Sequence, residues 1–417
     1  MDLRQMLAAL LTFSMFLMLA NMVKRDHFDS LQVNIPMTSS MQYDDMKVTE
    51  RSLAGFPSVG KSPWKEDDAA LKPCWNKPAI SIGEQSKGFI TFSLKGGPEC
   101  HVWQIADAVA VARFLGATLV LPDIIVMGSK PRVRRYFSDI YDVEIFLISL
   151  DDVVRVTRNL PTEVHTGKLI RIPSRVSENY IEAHIAPLFR KQGGLRLEIY
   201  CPTAEMRSLE KGRHLDSYAC LAMFKTLQLQ PKLQQVVDFV VGQLRTFSQK
   251  TKRKFIAVDL QKGCQGIEEG ARKLCFRTEE VGKFLKKIGF NGGTTIYLTQ
   301  PKWSNSSDAL REFFPNTYTK NPLLLILHVG HLKLLLNISK LQQESLLPAD
   351  KKTKFLNSKS SDIENIIDFY ICSQSDVFVP ATSGLFYTSV AGMRIASDRT
   401  QILVPSLIMI SNISHPI

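Results

Sequence analysis

Residues 361–394 (SDIENIIDFYICSQSDVFVPATSGLFYTSVAGMR) constrain the fold most, because an amphipathic segment leads into a short apolar strand, a small-residue turn and another helix. Isoleucine and tyrosine side chains recur at helical spacing before the predicted strand at 376–379. The turn 381–384 (ATSG) offers hydroxyls and free backbone N–H groups at a helix N-terminus, which suits a diphosphate. An ordinary βα turn of an α/β core is the alternative interpretation.

An earlier segment also alternates strand and helix. FITFSL at 89–94 predicts a strand, residues 101–115 predict a helix with one apolar face, and residues 117–122 predict a second strand. Asp107 lies off the apolar face of this helix and is predicted to be a solvated surface residue. A strand, a helix and a second strand in this order predict a parallel sheet with a right-handed crossover.

A second unit begins with FIAVDL at 255–260, followed by a predicted helix at 279–288 and a strand at 295–299. At 417 residues the chain suits two α/β domains. We therefore predict an α/β fold of two facing Rossmann-like halves, with the ligand site in the cleft at the carboxyl ends of the strands.

The N-terminus predicts a membrane anchor, since an uncharged apolar run extends from Met6 to Val23 between basic residues. A cleaved signal peptide is the alternative. Residues 24–85 lack sustained periodicity and are typical of a stem. The predicted organisation is a cytoplasmic tail at 1–5, a signal-anchor helix at 6–23, a stem at 24–85, an N-terminal domain at 86–235, a C-terminal domain at 236–405 with an insertion near 322–348, and a tail at 406–417.

Sequons at Asn305, Asn337 and Asn412 are compatible with a lumenal location and predict N-glycosylation. Seven cysteines show no zinc-binding spacing, so we predict no metal. Cys264 and Cys275 flank a short loop and form a candidate disulfide, while the odd total leaves at least one thiol free or paired between chains.

The net charge of +12 favours anionic partners. Nucleic acid is not predicted as a partner, because the basic residues form no recognised motif with aromatic platforms. An anionic sugar nucleotide or an acidic polysaccharide fits the charge better.

Five ordered stretches resemble the plant branch of the GDP-fucose protein O-fucosyltransferase family. They are QIADAVAVARFLGATLVLPDI (104–124), FSDIYDVEIFLISLDDVVRVTRNLP (137–161), FIAVDL (255–260), TTIYLTQPKW (294–303) and IDFYICSQSDVFVPATSGLFYTSVAGMR (367–394). Within that branch, GPECHVWQIADAV and LKPCW look most like the mannan-synthesis-related proteins. The resemblance implies a fold of the GT-B type and a single-pass Golgi enzyme that inverts configuration without a metal or other cofactor.

The resemblance also implies roles for individual residues. Glu99 or His101 would face the cleft and take the proton from an acceptor hydroxyl. The alternative is that both are loop residues that transfer no proton. The residues expected to bind the GDP-sugar are Gly96, Gly97, Asp259, Asp376, Phe378, Ser383 and Gly384.

One position departs from the family pattern. The resembled enzymes bind the donor phosphate with an arginine in an H-x-R pattern, and this chain has Asp259-Leu260-Gln261 there. Glutamine supplies no fixed cation. Two functions follow: a glycosyltransferase that uses GDP-mannose or GDP-fucose on a polysaccharide or glycoprotein acceptor in cell-wall mannan or glucomannan biosynthesis, or a non-catalytic scaffold or glycan-binding partner of a mannan synthase.

Overall fold

A computed structural model describes the residues 63–64, 75, 85–126, 133–162, 169–202, 217–260, 268–269, 272–273, 275–300, 305–320 and 361–405. The strands are β1 Phe89–Lys95, β2 Thr118–Val120, β3 Asp123–Ile125, β4 Arg134–Tyr136, β5 Val156–Thr157, β6 Leu169–Ile172, β7 Gly194–Ile199, β8 Phe255–Asp259, β9 Glu268–Glu269, β10 Arg272–Lys273, β11 Thr295–Leu298, β12 Thr317–Thr319 and β13 Val377–Pro380. The protein is therefore of the α/β class, as predicted.

Helices alternate with these strands. They are α1 Pro98–Leu115, α2 Val143–Leu150, α3 Glu178–Tyr180, α4 Ala186–Gln192, α5 Ser217–Phe224, α6 Pro231–Phe247, α7 Thr278–Lys287, α8 Asn305–Phe313, α9 Ser361–Gln374 and α10 Leu385–Ala396. A π-helical turn, Ile181–Ile185, joins α3 to α4. The predicted succession of helix, strand and helix within 361–394 is confirmed by α9, β13 and α10.

The first sheet is built around β1, which pairs in parallel with β7 on one side and with β2 and β3 on the other. Strands β5 and β6 extend the sheet in parallel, and β4 pairs antiparallel with β3. The second sheet has the order β12-β11-β8-β13, and all its strands are parallel. Parallel pairing throughout the second sheet follows from the helices that separate its strands.

The two faces of the second sheet bury different cores. Phe255 and Ala257 belong to a cluster that also contains α1 and the first sheet, whereas Ile256 and Val258 belong to a separate cluster with α7 and α8. Side chains alternate along a strand, so Asp259 continues the face directed at the shared core. The predicted domain boundary at 235/236 falls inside α6, and the division into two domains stays a prediction.

Two tryptophans of the predicted stem contact this folded part. Trp64 packs edge-on against Phe290, with ring centroids 4.9 Å apart, and Trp75 packs against the core shared by the two sheets. The predicted anchor at 6–23 lies outside the described residues. Within the part of the chain that the structure describes, no helix has both the length and the apolar character needed to cross a membrane.

Candidate functional site

Each sheet has an interior strand with neighbouring strands on both of its sides. Strand β1 lies between β7 and the β2–β3 edge, and β8 lies between β11 and β13. Ligands of open parallel sheets bind beyond the carboxyl ends of the strands at such points. Gly96 and Gly97 follow β1, Asp259 ends β8, and the turn 381–384 follows β13, so most of the predicted donor-binding residues lie at these ends.

The two glycines after β1 allow a close approach between chain segments. Gly96 has φ +84°, and a Cβ atom there would lie 3.0 Å from the Cys100 Sγ. A Cβ at Gly97 would lie 2.4 Å from the Glu99 carboxylate and 2.5 Å from the Asn365 amide nitrogen. Any side chain at Gly97 would therefore displace both of these groups.

Glu99 lies in the first turn of α1, where its charge favours the helix N-terminus. The half-buried side chain accepts a hydrogen bond from Asn365 Nδ2 at 3.2 Å. Its backbone carbonyl accepts one from Ser389 Oγ, also at 3.2 Å. Asn365 belongs to α9 and Ser389 to α10, so the candidate base is held where α1 meets two helices of the second half.

His101 is enclosed in the core instead of facing a cleft, which corrects the sequence-based prediction. Its side chain is about 1% exposed, and Nδ1 lies 2.7 Å from the Tyr141 hydroxyl oxygen. Burial lowers the pKa of His101 to about 3, against a smaller opposing effect of the Gly96 backbone. A buried imidazole with so low a pKa is a weak base, so Glu99 is the better placed of the two candidates.

A disulfide joins the start of α1 to the segment after β7. Cys100, next to Glu99, is bonded to Cys201 directly after β7, across a sequence separation of 101 residues. Cys275 is also disulfide-bonded, but its predicted partner Cys264 lies outside the described residues. Cys372 is free and buried, which agrees with the odd cysteine count.

Asp259 is a buried carboxyl at the end of β8, with about 3% of its surface exposed. Oδ1 accepts a hydrogen bond from Thr299 Oγ1 at 3.1 Å, and no described group hydrogen-bonds to Oδ2. Burial raises the pKa of Asp259 to about 7; Asp368 and Glu99 also raise it, and the Thr299 hydrogen bond opposes the shift. The group is thus poised between its neutral and ionised forms near neutral pH.

The residues along β13 divide into two groups. Asp376, at the amino end, accepts a hydrogen bond from the Phe255 backbone N–H at 3.0 Å, and Phe378 is completely buried. The structure therefore places both away from the carboxyl edge. At that edge Ser383 is exposed and Gly384 caps α10, whose N-terminal N–H groups suit an anion.

Sequence reasoning missed a buried ion pair next to Asp259. Lys320 Nζ lies 2.5 Å from Asp368 Oδ2, and the Tyr297 hydroxyl donates to Asp368 Oδ1 at 2.6 Å. Burial raises the pKa of Asp368 to about 6, although Lys320 opposes the shift. The only sequence signal was an aspartate among the apolar positions of α9.

Asp107 is also buried, which corrects its prediction as a surface residue. Its carboxylate accepts hydrogen bonds from the backbone N–H groups of Arg175 and Val176 at 3.0 and 2.9 Å. Helix α1 packs against β1 as well as α5, α9 and α10, so even its polar positions are covered.

Several predictions fall outside the described residues, namely those on Gln261, Asn337 and Asn412. Asn305 is the first residue of α8. The prediction that no metal is required stays a prediction.

The sequence profile described as GDP-fucose protein O-fucosyltransferase matches residues 89–324. Protein MANNAN SYNTHESIS-RELATED 2 of Arabidopsis thaliana is 42% identical over 416 residues, with 97% of this chain and 92% of the relative covered. Protein MANNAN SYNTHESIS-RELATED of Trigonella foenum-graecum is 43% identical at the same coverage of both chains.

Solved structures resemble this chain at much lower sequence identity. POFUT1 in complex with GDP superposes with a TM-score of 0.41 at 13% identity, covering 78% of this chain and 99% of that one. Fucosyltransferase NodZ from Bradyrhizobium gives a TM-score of 0.41 at 12% identity, covering 73% and 93%.

Proposed function

Since the chain belongs to the GDP-fucose protein O-fucosyltransferase family, we propose that it is a glycosyltransferase that uses a GDP-sugar in mannan or glucomannan biosynthesis. Two of its relatives are named for mannan synthesis, and their similarity extends over nearly the whole chain. GDP-mannose and GDP-fucose are the candidate donors. The acceptor is a cell-wall polysaccharide or a glycoprotein.

One observation carries the proposal. Glu99 of the first half is hydrogen-bonded to α9 and α10, next to the strand ends that carry Asp259 and the turn 381–384. A carboxylate that can accept a proton is thus bonded to the helix whose N-terminus can bind a diphosphate. This arrangement suits an inverting displacement.

The chemistry assigns a task to each side of the junction. The bond between the sugar C1 and the β-phosphate oxygen breaks, and its electron pair leaves with GDP. The acceptor oxygen bonds to C1 from the opposite face, and Glu99 takes the proton of that hydroxyl. Backbone N–H groups at the start of α10 stabilise the negative charge that develops on the departing diphosphate.

A non-catalytic scaffold, or a glycan-binding partner of a mannan synthase, is the second candidate. Gln261 favours it, because the residue stands where the resembled enzymes have a phosphate-binding arginine. Removing a comparable charge-stabilising donor costs about 3 to 4 kcal/mol of transition-state stabilisation. A chain without that cation binds the donor but turns it over slowly.

The location belongs to the same proposal. We place the head, with two Rossmann-like domains of the GT-B type, in the Golgi lumen behind a single N-terminal anchor at 6–23. The net charge of +12 and the three sequons support a lumenal head that handles anionic sugar nucleotides.

Donor binding and turnover separate the two candidates. Calorimetric titration of the full chain with GDP-mannose and with GDP-fucose, without metal, is expected to show binding. Turnover of the bound donor is expected to fall by about 10² to 10⁴ in Glu99→Gln. The matched control is Glu182→Gln, which removes a surface carboxylate paired with Arg190.

Absence of heat with both donors would reject the glycosyltransferase proposal. Binding with equal background turnover in the wild type and in Glu99→Gln would favour the scaffold.

A further inference from the structure

Two buried polar atoms at the carboxyl ends of β8 and β13 lack hydrogen-bond partners among the described residues. Asp259 Oδ2 and Thr382 Oγ1 are both enclosed, and neither has a hydrogen-bond partner among the described residues. Their strands are neighbours: Pro380 is opposite Asp259, and the Ala381 N–H donates to the Asp259 backbone carbonyl at 3.1 Å. By strand alternation both side chains continue the face that carries Phe378.

The charges around Asp259 are mainly negative. Helix α1 contributes Glu99, and α9 contributes Asp368 and the neutral thiol of Cys372, whose pKa burial raises. The ammonium group of Lys320 is paired with Asp368. Other titratable and charged groups on the packed elements include Tyr297, which donates to Asp368, Glu364, which lies 3.6 Å from Lys320, and Arg394, whose guanidinium donates to backbone carbonyls. Tyr370 on α9 and Tyr387 on α10 have pKa values that burial raises.

A diphosphate at the α10 N-terminus would add further negative charge to this environment. Repulsion between like charges favours the neutral form of a carboxyl group. A neutral carboxylic acid also has an O–H donor, which a carboxylate lacks. The hydrogen bond from Thr299 occupies Oδ1, so the proton belongs on Oδ2, the oxygen without a partner.

We infer that Asp259 binds the diphosphate of the GDP-sugar as the neutral acid, with Oδ2–H donating to a phosphate oxygen beside the N-terminus of α10. The inference rests on the proposed function, because it assumes a GDP-sugar at this edge. Burial raises the pKa of Asp259 to about 7, so roughly half of the free protein carries the proton at neutral pH. Donor binding then takes up a proton from the buffer.

The inference fixes the direction in which donor affinity changes with pH. A ligand that binds only the protonated form loses affinity as the pH rises through the pKa of the free protein. With a pKa near 7, affinity for GDP-mannose is expected to be about tenfold weaker at about pH 8 than at about pH 6. A GDP-sugar is the right probe, because its diphosphate is esterified at both ends and does not titrate in this range.

The test is calorimetric titration of the full chain with GDP-mannose at about pH 6, 7 and 8, in two buffers of different ionisation enthalpy. The wild type is expected to take up about half a proton per donor near pH 7. Asp259→Asn keeps a donor and an acceptor in the same place, so its affinity is expected to be independent of pH, without proton uptake. Asp238→Asn, which removes an exposed carboxylate on α6, is the matched control and is expected to behave as the wild type.

The outcomes distinguish this inference from the function on which it rests. Donor binding with no proton uptake in the wild type, or with the same pH slope in Asp259→Asn, would overturn the inference and leave the proposed function intact. Absence of GDP-mannose and GDP-fucose binding even at about pH 6 would overturn both. Because proton uptake is measured on the wild type, the test holds even if the variant fails to fold.

Discussion

Replacing Lys320 with methionine tests the electrostatics beneath the candidate site. The Lys320 ammonium and the Asp368 carboxylate are 2.5 Å apart, with side chains only 3% and 5% exposed. Methionine retains most of the aliphatic volume but removes the cation, so Asp368 is left buried without its ionic partner. A buried carboxylate in this position escapes the cost of ionisation by taking up a proton.

The magnitude follows from the pKa of Asp368, which burial raises to about 6 in the wild type despite the opposing effect of Lys320. Below about pH 5 the carboxyl is protonated in both proteins, so the loss of Lys320 has little effect through this group. Above about pH 6 the wild type releases the proton and the variant retains it. The variant is then destabilised by about 1.4 kcal/mol for each further pH unit, or about 4 kcal/mol near pH 9.

Urea-induced unfolding of both proteins at about pH 5, 7 and 9 measures this slope directly. Lys283→Met is the matched control, since Lys283 forms an exposed pair with Glu279 at 2.7 Å and its loss is expected to change stability by less than about 0.5 kcal/mol. A difference in unfolding free energy that is the same at all three pH values would refute the assignment of Asp368 as the titrating group.

Three further predictions concern packing near the site. Gly97→Ala is expected to lower turnover, because its Cβ would displace the Glu99 carboxylate; unchanged turnover would contradict that placement. Cys201→Ser opens the bond to Cys100 and is expected to cost about 2 to 5 kcal/mol of unfolding free energy, measured in urea against Cys372→Ser. Arg394→Met removes a buried guanidinium that donates to carbonyls at the end of α9, so the free energy of unfolding is expected to fall by about 3 kcal/mol or more. Thermal unfolding measures this change, and a decrease below about 1 kcal/mol would contradict the role.

The local elements were predictable because their signals are contiguous in sequence. Helix α9, strand β13 and helix α10 each carry their own hydrophobic period, and the structure places them within 361–394 as predicted. The carboxyl-end position of Asp259 follows from the same reasoning, since a polar residue that ends a buried strand lies at the edge of its sheet.

The environment of each polar residue was not predictable, because its partners are distant in sequence. The backbone groups that bind Asp107 come from residues 175 and 176, and Cys201 is 101 residues from Cys100. Amphipathic reasoning assigns a polar residue of a helix to solvent, and it fails for α1 because α5, α9 and α10 also pack against this helix.

The acidic surroundings of Asp259 bear on the prediction that Gln261 stands where the resembled enzymes have an arginine. A cation close to Asp259 would hold this carboxyl in its ionised form, whereas without one the repulsion from Asp368 and Glu99 favours protonation. A cation and a bound proton both lower the negative charge that a diphosphate meets, but the proton is lost above neutral pH. An arginine introduced by Gln261→Arg that lowers the pKa of Asp259 should therefore move the loss of donor affinity to lower pH, whereas Asp259→Asn should remove the pH dependence altogether.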